Sequence, residues 1–391
     1  MSSIMQMVQE AAKHIKWTAQ WWRLNMRGLA AGAVCAMLAS GLAHAGSHAG
    51  HATVAADGSG RYATLQAAVD ALPESGGVIT IAPGTYREKV TISKTNVHLA
   101  GSGKRPQDVL LVFDANAGAW GGTGKTATLT AVGDGFEMRN MTVQNDWSFR
   151  NPTFDPNHHE GAQAVALMLR GDKDVVEHVR LLGAQDTLYA GGGGHCVVQT
   201  PSVSASTTSV QAAGAKTPPL ANGGACRAVR QLFRDCYIEG HIDFIFGDAN
   251  AVFENCEIHG IANEKVWLTA QSKDAPERQS AYVFDHCRVT ADAGVGALYL
   301  GRPWRRYGTV VFLDTALDAK VEPAGWDDWV HTPGSIETAY FAEYNSTGVG
   351  ANPAGREKYS HQLTDDEAKQ FAPEKILAGS DGWRPLNSKS K

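Results

Sequence analysis

A short sequence phrase recurs along the chain and limits the folds that the chain can adopt. Each copy alternates apolar and polar residues, like a strand, and has a polar residue near its centre. The copies are FRDCYIEG at 233–240, FENCEIHG at 253–260, FDHCRVTA at 284–291 and, more loosely, FLDTALDA at 312–319, EMRNMTVQN at 137–145 and VEHVRLLG at 176–183. One copy cannot bury its apolar face alone, so the copies must stack.

The spacing of the copies favours strands that stack directly. From Phe233 onward, consecutive copies start 20, 31 and 28 residues apart, which fits coils joined by loops of varying length. No pattern of long helices lies between them, which argues against alternating strands and helices. We therefore predict an all-β fold, a single-stranded parallel β-helix, with a β-sandwich or barrel as the alternative.

Two segments are predicted to form helices that cover the ends of the stack. YATLQAAVDALP at 62–73 has apolar residues at helical spacing before a proline, which indicates a short N-terminal cap helix. LTDDEAKQFAPEKIL at 363–377 contains the capping box of Thr364 and Glu367, which predicts a helix on the C-terminal side.

The first 45 residues have the pattern of a bacterial-type signal peptide. A basic flank precedes the apolar segment GLAAGAVCAMLASGLA, and AHA at 43–45 supplies the small residues of a cleavage site. The apolar segment is too short for a membrane span. Met26 begins a leader of more usual length, so we expect the chain to start there. We predict that the protein is exported to the extracellular space. We also predict that residues 46–391 form one β-helix domain.

Between residues 191 and 227 the composition shifts to glycine and then to serine, threonine and alanine. This composition predicts a long inserted loop within the domain and no separate domain. Cys196 and Cys226 flank the loop, and whether they pair is left open.

Three further cysteines occupy equivalent positions in three copies of the repeat. They are Cys236, Cys256 and Cys287. In an oxidising compartment we expect a disulfide between Cys236 and Cys256, with Cys287 buried and free.

Charge and composition exclude several classes of partner. The formal net charge is −5, and no basic run is present to neutralise phosphates, so we expect no nucleic-acid partner. After the leader no apolar segment reaches membrane-spanning length. No cysteines have the paired spacing of a zinc site, and no acidic cluster predicts bound calcium. We expect a monomer without a metal or cofactor.

The segment GHIDFIFG at 240–247 places one acid, Asp243, in a run that is otherwise mostly apolar. Strict alternation along a strand would put Phe244 and Phe246 on one face and Asp243 and Ile245 on the other. Asp243 then faces either bulk solvent or a cleft, and chemical partners elsewhere in the chain decide between the two.

Other segments supply such partners. They are Gln163 in QAVAL, Gln185 and Asp186 in GAQDTLY, and Arg302 and Trp304 in LGRPW. A guanidinium suits a nearby carboxylate, and a tryptophan offers the flat apolar face on which sugars lie. Alternation would put Gln185 and Asp186 on opposite faces, so GAQDTLY must bend if both act.

These segments, with GTYRE at 84–88, resemble in order the signature segments of the pectinesterases, or pectin methylesterases, a family of carbohydrate esterases. The resemblance runs from DGSGRYATLQAAVDALP to the C-terminal helix. It implies a right-handed parallel β-helix with a shallow cleft, and hydrolysis of the methyl esters of galacturonate in pectin, with release of methanol.

The resemblance also implies a role for each candidate residue. Asp243 would be the nucleophile and Asp186 the general acid and then base, while Gln163 and Gln185 would form the oxyanion hole. Arg302 would keep Asp243 ionised and oriented, since a carboxylate attacks an ester only while ionised. The sugar subsites would be lined by Trp304, Tyr189 and Phe246.

Three other functions remain open from the residues alone. A glycosidase or lyase on the same fold also uses paired acids, although two amide donors suit ester chemistry better. A thioesterase with the same constellation and a non-enzymatic polysaccharide-binding β-helix are the others. One departure concerns Asp186 and Asp243, which are 57 positions apart because the loop at 191–227 lies between them.

The segment AWGGTGKT at 119–126 matches a relaxed phosphate-loop pattern. That pattern requires a helix after the lysine, whereas the following TATLTAV alternates like a strand. We therefore predict no nucleotide site.

Overall fold

The repeats form coils in which the chain passes repeatedly through three parallel sheets. The structure is a computed structural model that describes residues 50–193, 197–198 and 226–387. The predicted signal peptide, Cys196 and the side chain of Cys226 lie outside the described residues. We call the three sheets A, B and C. Strands that neighbour each other in a sheet come from successive coils.

Sheet A contains eleven strands among the described residues. In order they are His51–Val54, Gly77–Ile81, Val97–Gly101, Glu137–Arg139, Asp174–Glu177, Arg230–Arg234, Asn250–Glu254, Ala281–Asp285, Thr309–Leu313, Tyr340–Tyr344 and His361–Gln362. All of its pairings are parallel, as stacked coils require.

Sheets B and C complete the coils. The strands of sheet B are Gly84–Arg87, Val109–Phe113, Thr142–Asn145, Arg180–Leu182, Tyr237–Gly240, Glu257–Gly260, Arg288–Ala291 and Ala316–Leu317. The strands of sheet C are Val90–Ile92, Leu129–Ala131, Leu167–Leu169, Leu188–Ala190, Ile245–Gly247 and Thr269–Gln271. Two small sheets pair Lys265–Trp267 with Ala297–Tyr299, and Cys226–Arg227 with both Val197–Val198 and Arg278–Gln279.

The helices are short. The α-helices are α1 (Leu65–Ala71), α2 (Ala117–Trp120), α3 (Trp147–Arg150), α4 (Asp365–Ala368) and α5 (Pro373–Leu377). The 3₁₀ turns are Pro106–Asp108, Thr123–Lys125, Ser335–Glu337, Pro353–Gly355, Lys369–Phe371 and Pro385–Asn387. No helix within residues 50–193, 197–198 and 226–387 combines the length and apolar composition needed to cross a bilayer.

The polar residue at the centre of each repeat forms the corner between sheets A and B. At these corners the backbone is left-handed, a conformation that asparagine, aspartate and histidine tolerate better than most residues. The corner residues and their φ angles are Asn140 at 53°, His178 at 54°, Asp235 at 51°, Asn255 at 53°, His286 at 51° and Asp314 at 45°. The polar residue at the centre of each repeat is therefore there because the turn between sheets A and B requires it.

The phenylalanine that opens four of the repeats builds a ladder through the core. Phe233, Phe253, Phe284 and Phe312 are fully buried and paired in register across sheet A. Successive ring centroids lie 4.7, 4.5 and 4.5 Å apart, with planes within 10° of parallel. This stack fixes the register of the coils, because a slipped strand would leave a ring without its partner.

The cysteines of the repeats form a second ladder, and here the predicted disulfide is wrong. Cys236, Cys256 and Cys287 are buried free thiols, as predicted only for Cys287. Each thiol donates to a backbone carbonyl, such as Val176 O at 3.4 Å from Cys236 Sγ. Equivalent side chains of stacked strands run parallel about 4.8 Å apart, which is wider than the Cβ–Cβ separation of about 3.8 Å typical of a disulfide.

The predicted N-terminal cap helix is confirmed. Thr64 caps α1 through a hydrogen bond from Ala67 N–H, and the buried face of the helix packs against the first strands of sheets A and C. The carboxylate of Glu88 accepts from the N–H groups of Leu65 and Gln66 at 2.7 and 3.1 Å.

The prediction for the C-terminal segment is correct at its start and wrong in its extent. The capping box of Thr364 and Glu367 is present, but the predicted single helix is divided into α4, a 3₁₀ turn and α5. Pro373 begins α5 and has no N–H to continue the preceding turn. α5 packs on the outer face of sheet A against strand Asn250–Glu254, so it covers the side of the stack.

Candidate active site

Sheet C places the segments that carry Asp186 and Asp243 side by side in adjacent coils. Leu188 and Ile245 are direct neighbours across the sheet. Asp186 and Asp243 each precede one of them by two residues, so the two acids occupy equivalent positions in adjacent coils. Asp186 N–H donates to Ile242 O at 3.1 Å, which joins the two segments directly.

Both acids have left-handed backbones, with φ of 64° at Asp186 and 52° at Asp243. These residues turn the chain into sheet C, and the one at Asp186 supplies the bend that GAQDTLY needs. The turn also breaks the alternation assumed from the sequence. Phe244 and Ile245 both enter the main core, whereas Phe246 packs in a separate outer cluster, so the predicted shared face of Phe244 and Phe246 was wrong.

Arg302 binds Asp243 with both arms of its guanidinium. Its Nε lies 2.8 Å from Asp243 Oδ1 and its Nη2 lies 2.7 Å from Oδ2, and the two side chains are only 12% and 9% exposed. A bidentate pair of this kind fixes orientation as well as charge. The sequence prediction that Arg302 contacts Asp243 is therefore matched by the geometry.

Two tryptophans that the sequence interpretation missed hold the guanidinium. Arg302 Cζ lies 3.8 Å from the ring centroid of Trp267 and 4.5 Å from that of Trp329. Trp267 Nε1 donates to Asp327 Oδ2 at 3.0 Å, which fixes the indole. Trp267 precedes Thr269, the sheet neighbour of Ile245, by two residues. Extending the repeat alignment into sheet C would have found it.

The two acids lie in different environments, and these give them different pKa values. Burial raises the pKa of Asp186 well above its usual value; the charge of Asp243 adds to this rise, and Arg302 opposes it. Burial also raises the pKa of Asp243, but the charge and hydrogen bonds of Arg302 counteract that rise. Asp243 is therefore the first of the pair to ionise, and Asp186 keeps its proton to a higher pH than Asp243 does.

The two predicted amide residues lie in adjacent coils beside the acids. Ala164 N–H donates to Gln185 O at 3.0 Å, which puts Gln163 and Gln185 on neighbouring backbone segments. Both are partly exposed, unlike the buried residues around them. They are thus accessible to a molecule that lies over Asp186.

The three residues predicted to line sugar subsites meet on the outward face of sheet C. The ring of Phe246 lies 5.1 Å from that of Tyr189 and 5.9 Å from that of Trp304, in edge-to-face geometry. Met168 and Ala270 flank them in the same row of the sheet. This row crosses four adjacent strands of sheet C.

Possible metal ligands cluster elsewhere. Asp285, His286 and Asp314 lie within reach of a common ion, but they sit at the corner between sheets A and B and include none of the residues above. The arrangement around Asp243 consists of two carboxylates, one guanidinium, two amides and aromatic rings. On a parallel β-helix, such a set contains the kinds of group that a hydrolase with side-chain carboxylates uses.

Comparison with known proteins identifies the family. The pectinesterase family model matches residues 51–195 and 225–380. The chain therefore belongs to the pectinesterase family, which comprises carboxylic ester hydrolases. The gap between the two matched segments lies within the loop predicted at 191–227.

Individual relatives agree with this assignment. Pectinesterase 2 of Citrus sinensis is 33% identical over 349 residues, which cover 86% of this chain and 59% of that protein. The chain thus spans less than two thirds of that relative. The pectin methylesterase from carrot is 29% identical, with a TM-score of 0.70, and the match covers 88% of this chain and 98% of the carrot chain.

A pectin methylesterase solved in complex with a hexasaccharide is also similar. It is 26% identical, with a TM-score of 0.66, and the match covers 85% of this chain and 98% of that one. These likenesses, together with the stacked parallel sheets, confirm the parallel β-helix predicted from the repeats.

Proposed function

We propose that the protein is a pectin methylesterase that hydrolyses methyl esters of galacturonate in pectin and releases methanol. Family membership supports the reaction class, and the hexasaccharide complex of a similar protein supports an oligosaccharide substrate. The observation that carries the proposal is the bidentate pair of Asp243 and Arg302 beside the buried Asp186, whose pKa burial raises well above its usual value.

In the first half of the reaction, Asp243 attacks the ester carbonyl carbon. A bond forms between a carboxylate oxygen and that carbon, and the carbonyl oxygen takes up the negative charge. Gln163 and Gln185 donate hydrogen bonds to this oxyanion. The intermediate collapses, the bond to the methoxy group breaks, and Asp186 gives its proton to the leaving oxygen. The products are methanol and an acyl-enzyme on Asp243.

In the second half, water hydrolyses the acyl-enzyme. Asp186, now ionised, accepts a proton from water as the water oxygen attacks the acyl carbon. The bond to Asp243 breaks, and Asp243 returns to the carboxylate that Arg302 stabilises. The sugar leaves as a carboxylic acid, which gives its proton to the solvent and becomes a free carboxylate, and Asp186 again holds a proton. Each turnover therefore releases one proton to the solvent, while Asp186 carries the proton that is transferred within the site.

The aromatic row of Tyr189, Phe246 and Trp304 would bind the sugar rings on either side of the reacting ester. The same proposal includes export through the leader at 1–45 and action as a monomer outside the cell. Both remain predictions from the sequence.

The competing function is cleavage of the pectin chain by the same pair of acids. A glycosidase produces new reducing ends, whereas an esterase produces methanol and leaves the chain intact. The test is to incubate the purified protein with highly methylated pectin and to measure both products. We expect methanol without new reducing ends.

Asp243→Asn removes the nucleophile with little change of shape, and we expect methanol release to fall by at least about 10³-fold. Asp235→Asn is the matched control, because it makes the same chemical change at a corner where asparagine accepts the left-handed backbone. New reducing ends, or methanol release that survives in Asp243→Asn, would overturn the proposal.

A further inference from the structure

Residues 327–338 form a loop that passes over the Arg302 guanidinium, and we call it the Trp329 loop. It follows Trp326, a core residue that is 2% exposed. Within the loop, all of which the structure describes, the regular structure is one 3₁₀ turn, Ser335–Glu337. The position of Trp329 against Arg302 therefore depends on contacts made by side chains, because no strand or α-helix carries it.

One carboxylate, that of Asp328, ties the Trp329 loop together. Its Oδ1 accepts from the backbone N–H groups of Trp329 and Ile336, at 2.9 and 3.0 Å. Its other oxygen, Oδ2, accepts from Gly334 N–H. Hydrogen bonds to a carboxylate are stronger than those to a neutral acceptor. The Asp328 side chain therefore joins the residue that follows it to the far end of the same loop.

The Trp329 loop is bonded to the segment that carries Arg302 on both sides of that arginine. At one end of the loop, Asp327 N–H donates to the carbonyl of Gly301, the residue before Arg302, at 3.1 Å. At the other end, Thr338 Oγ1 donates to the backbone carbonyl of Arg306. A displacement of the loop would therefore disturb the arginine as well.

Asp327 and Asp328 each hold one of the two tryptophans that contact the guanidinium. The Asp327 carboxylate accepts the indole N–H of Trp267, as described above. The Asp328 carboxylate accepts the backbone N–H of Trp329. The Trp329 ring also packs against the outer apolar cluster of sheet C. Two acids that are neighbours in the sequence thus help to fix both rings around one guanidinium.

Resting on the proposed function, we propose that Asp328 is a positioning residue for the attack by Asp243. By holding the Trp329 ring against Arg302, it limits rotation of the guanidinium, whose Nε and Nη2 then stay aimed at the two oxygens of Asp243. The attack needs a carboxylate that is aligned with the ester carbon, and a misplacement of about 1 Å can cost about 100-fold in rate. Asp328 acts through Trp329 and Arg302, and it takes no part in making or breaking bonds.

The first test measures methanol release from methylated pectin by Asp328→Ala and Asp328→Asn. Alanine removes both acceptor oxygens, whereas asparagine keeps Oδ1 and loses only the acceptor for Gly334 N–H. We expect kcat to fall by about 10-fold in Asp328→Ala and by about two- to threefold in Asp328→Asn. A kcat that stays at the wild-type value in both variants would overturn the proposal.

Asp57→Ala is the matched control. Like Asp328, Asp57 accepts a backbone N–H of its own loop, that of Ser59 at 2.9 Å. Its loop follows the first strand of sheet A, at the N-terminal end of the stack. The same chemical change is thus made far along the chain from Arg302, and Asp57→Ala should release methanol at the wild-type rate.

A double-mutant cycle with Arg302→Lys separates positioning from a general loss of structure. If Asp328 acts through the guanidinium, Asp328→Ala should cost less than about twofold in kcat when Arg302 is already lysine, because the bidentate contact is then absent. A smaller amount of folded enzyme would instead lower the rate by the same factor in both backgrounds. Equal losses in the two backgrounds would therefore overturn the proposal.

The guanidinium can also be followed without any substrate, by ¹⁵N NMR of the Arg302 Nε–H group, assigned by its absence in Arg302→Lys. We expect this proton to exchange with solvent about 10-fold faster in Asp328→Ala, while the buried backbone amide of Phe253 keeps its wild-type rate. An unchanged Arg302 rate, or an equal rise at Phe253, would overturn the proposal. If Arg302 alone exchanges faster but the wild type releases no methanol, the proposed function fails and the positioning of Arg302 by Asp328 stands.

Discussion

Asp186 and Asp243 occupy the same position in two adjacent coils, each two residues before a paired residue of sheet C and each with a left-handed backbone. The fold thus sets two carboxylates side by side by repeating one turn. What distinguishes them is Arg302, which binds Asp243 through both oxygens. Equivalent backbone positions therefore have different electrostatic environments, because the guanidinium forms hydrogen bonds with only one of the acids.

Replacement of Arg302 by lysine should lower kcat/KM for methanol release by about 10- to 100-fold. A lysine keeps the charge but loses the bidentate contact and the fit between Trp267 and Trp329. The rate is measured on methylated pectin, with Arg306→Lys on the same loop as the control. An Arg302→Lys enzyme as active as Arg306→Lys would contradict the proposed role.

The pH profile of kcat/KM should be bell-shaped. Activity rises on the acid side as Asp243 ionises, at a pH above the usual carboxyl pKa, because burial raises the pKa of Asp243. Activity falls on the alkaline side as Asp186, whose pKa is raised further, loses its proton. In Arg302→Met, the acid limb should move to higher pH, because the charge and hydrogen bonds of Arg302 lower the pKa of Asp243. An acid limb that stays in place would contradict this.

Asp186→Asn should make the protein more stable at neutral pH. In the folded state the raised pKa keeps Asp186 protonated, whereas the unfolded chain ionises it, so folding stability falls as pH rises above the usual carboxyl pKa. Asparagine does not ionise, so the substitution removes this pH-dependent loss of stability. We therefore expect the free energy of unfolding at pH 7 to increase.

The measurement is urea unfolding at pH 4 and pH 7, and the gain should be smaller at pH 4. Glu74→Gln, at an exposed acid, should change stability by less than about 0.5 kcal/mol at either pH. A gain that is equal at both pH values would assign the effect to something other than the proton.

Phe253→Ala should destabilise the fold by about 3–5 kcal/mol, because it removes a ring from the middle of the phenylalanine ladder and leaves a cavity between Phe233 and Phe284. Phe149→Ala removes the same side chain from a site that is 45% exposed, and it should cost little. Denaturant midpoints compare the two. Similar losses would show that the ladder adds nothing to stability.

The thiols of Cys236, Cys256 and Cys287 should react with iodoacetamide in denaturant without any reductant. They are free and buried, so the native protein should protect them. Mass spectrometry of peptides reports the labelled sites. If Cys236 and Cys256 are labelled only after a reductant is added, the result would support the predicted disulfide.

The repeats, the capping box and most of the candidate site residues could be predicted from the sequence, whereas Trp267 and Trp329 were missed. Stacking follows from short strands that cannot bury their faces alone. The resemblance to the pectinesterases implied that Arg302 keeps Asp243 ionised, which agrees with the need of a nucleophilic carboxylate for a nearby cation. These inferences depend on local periodicity and on residue chemistry, both of which are visible in a one-dimensional pattern.

The tertiary structure decided which faces the side chains occupy. Strict alternation misassigned Phe246, because the left-handed turn at Asp243 shifts the phase of the strand that follows. The divided C-terminal helix and the unpaired cysteines likewise follow from contacts with sheet A and from the parallel course of stacked side chains.

The sequence by itself determined that the chain stacks in coils and which groups could perform the chemistry. Only the tertiary structure joined Asp243 to Arg302, 59 residues away, and enclosed that arginine between Trp267 and Trp329. The physical reason is that periodicity is a property of neighbouring residues. The protonation of a carboxylate depends instead on burial and on charges that distant segments bring to it.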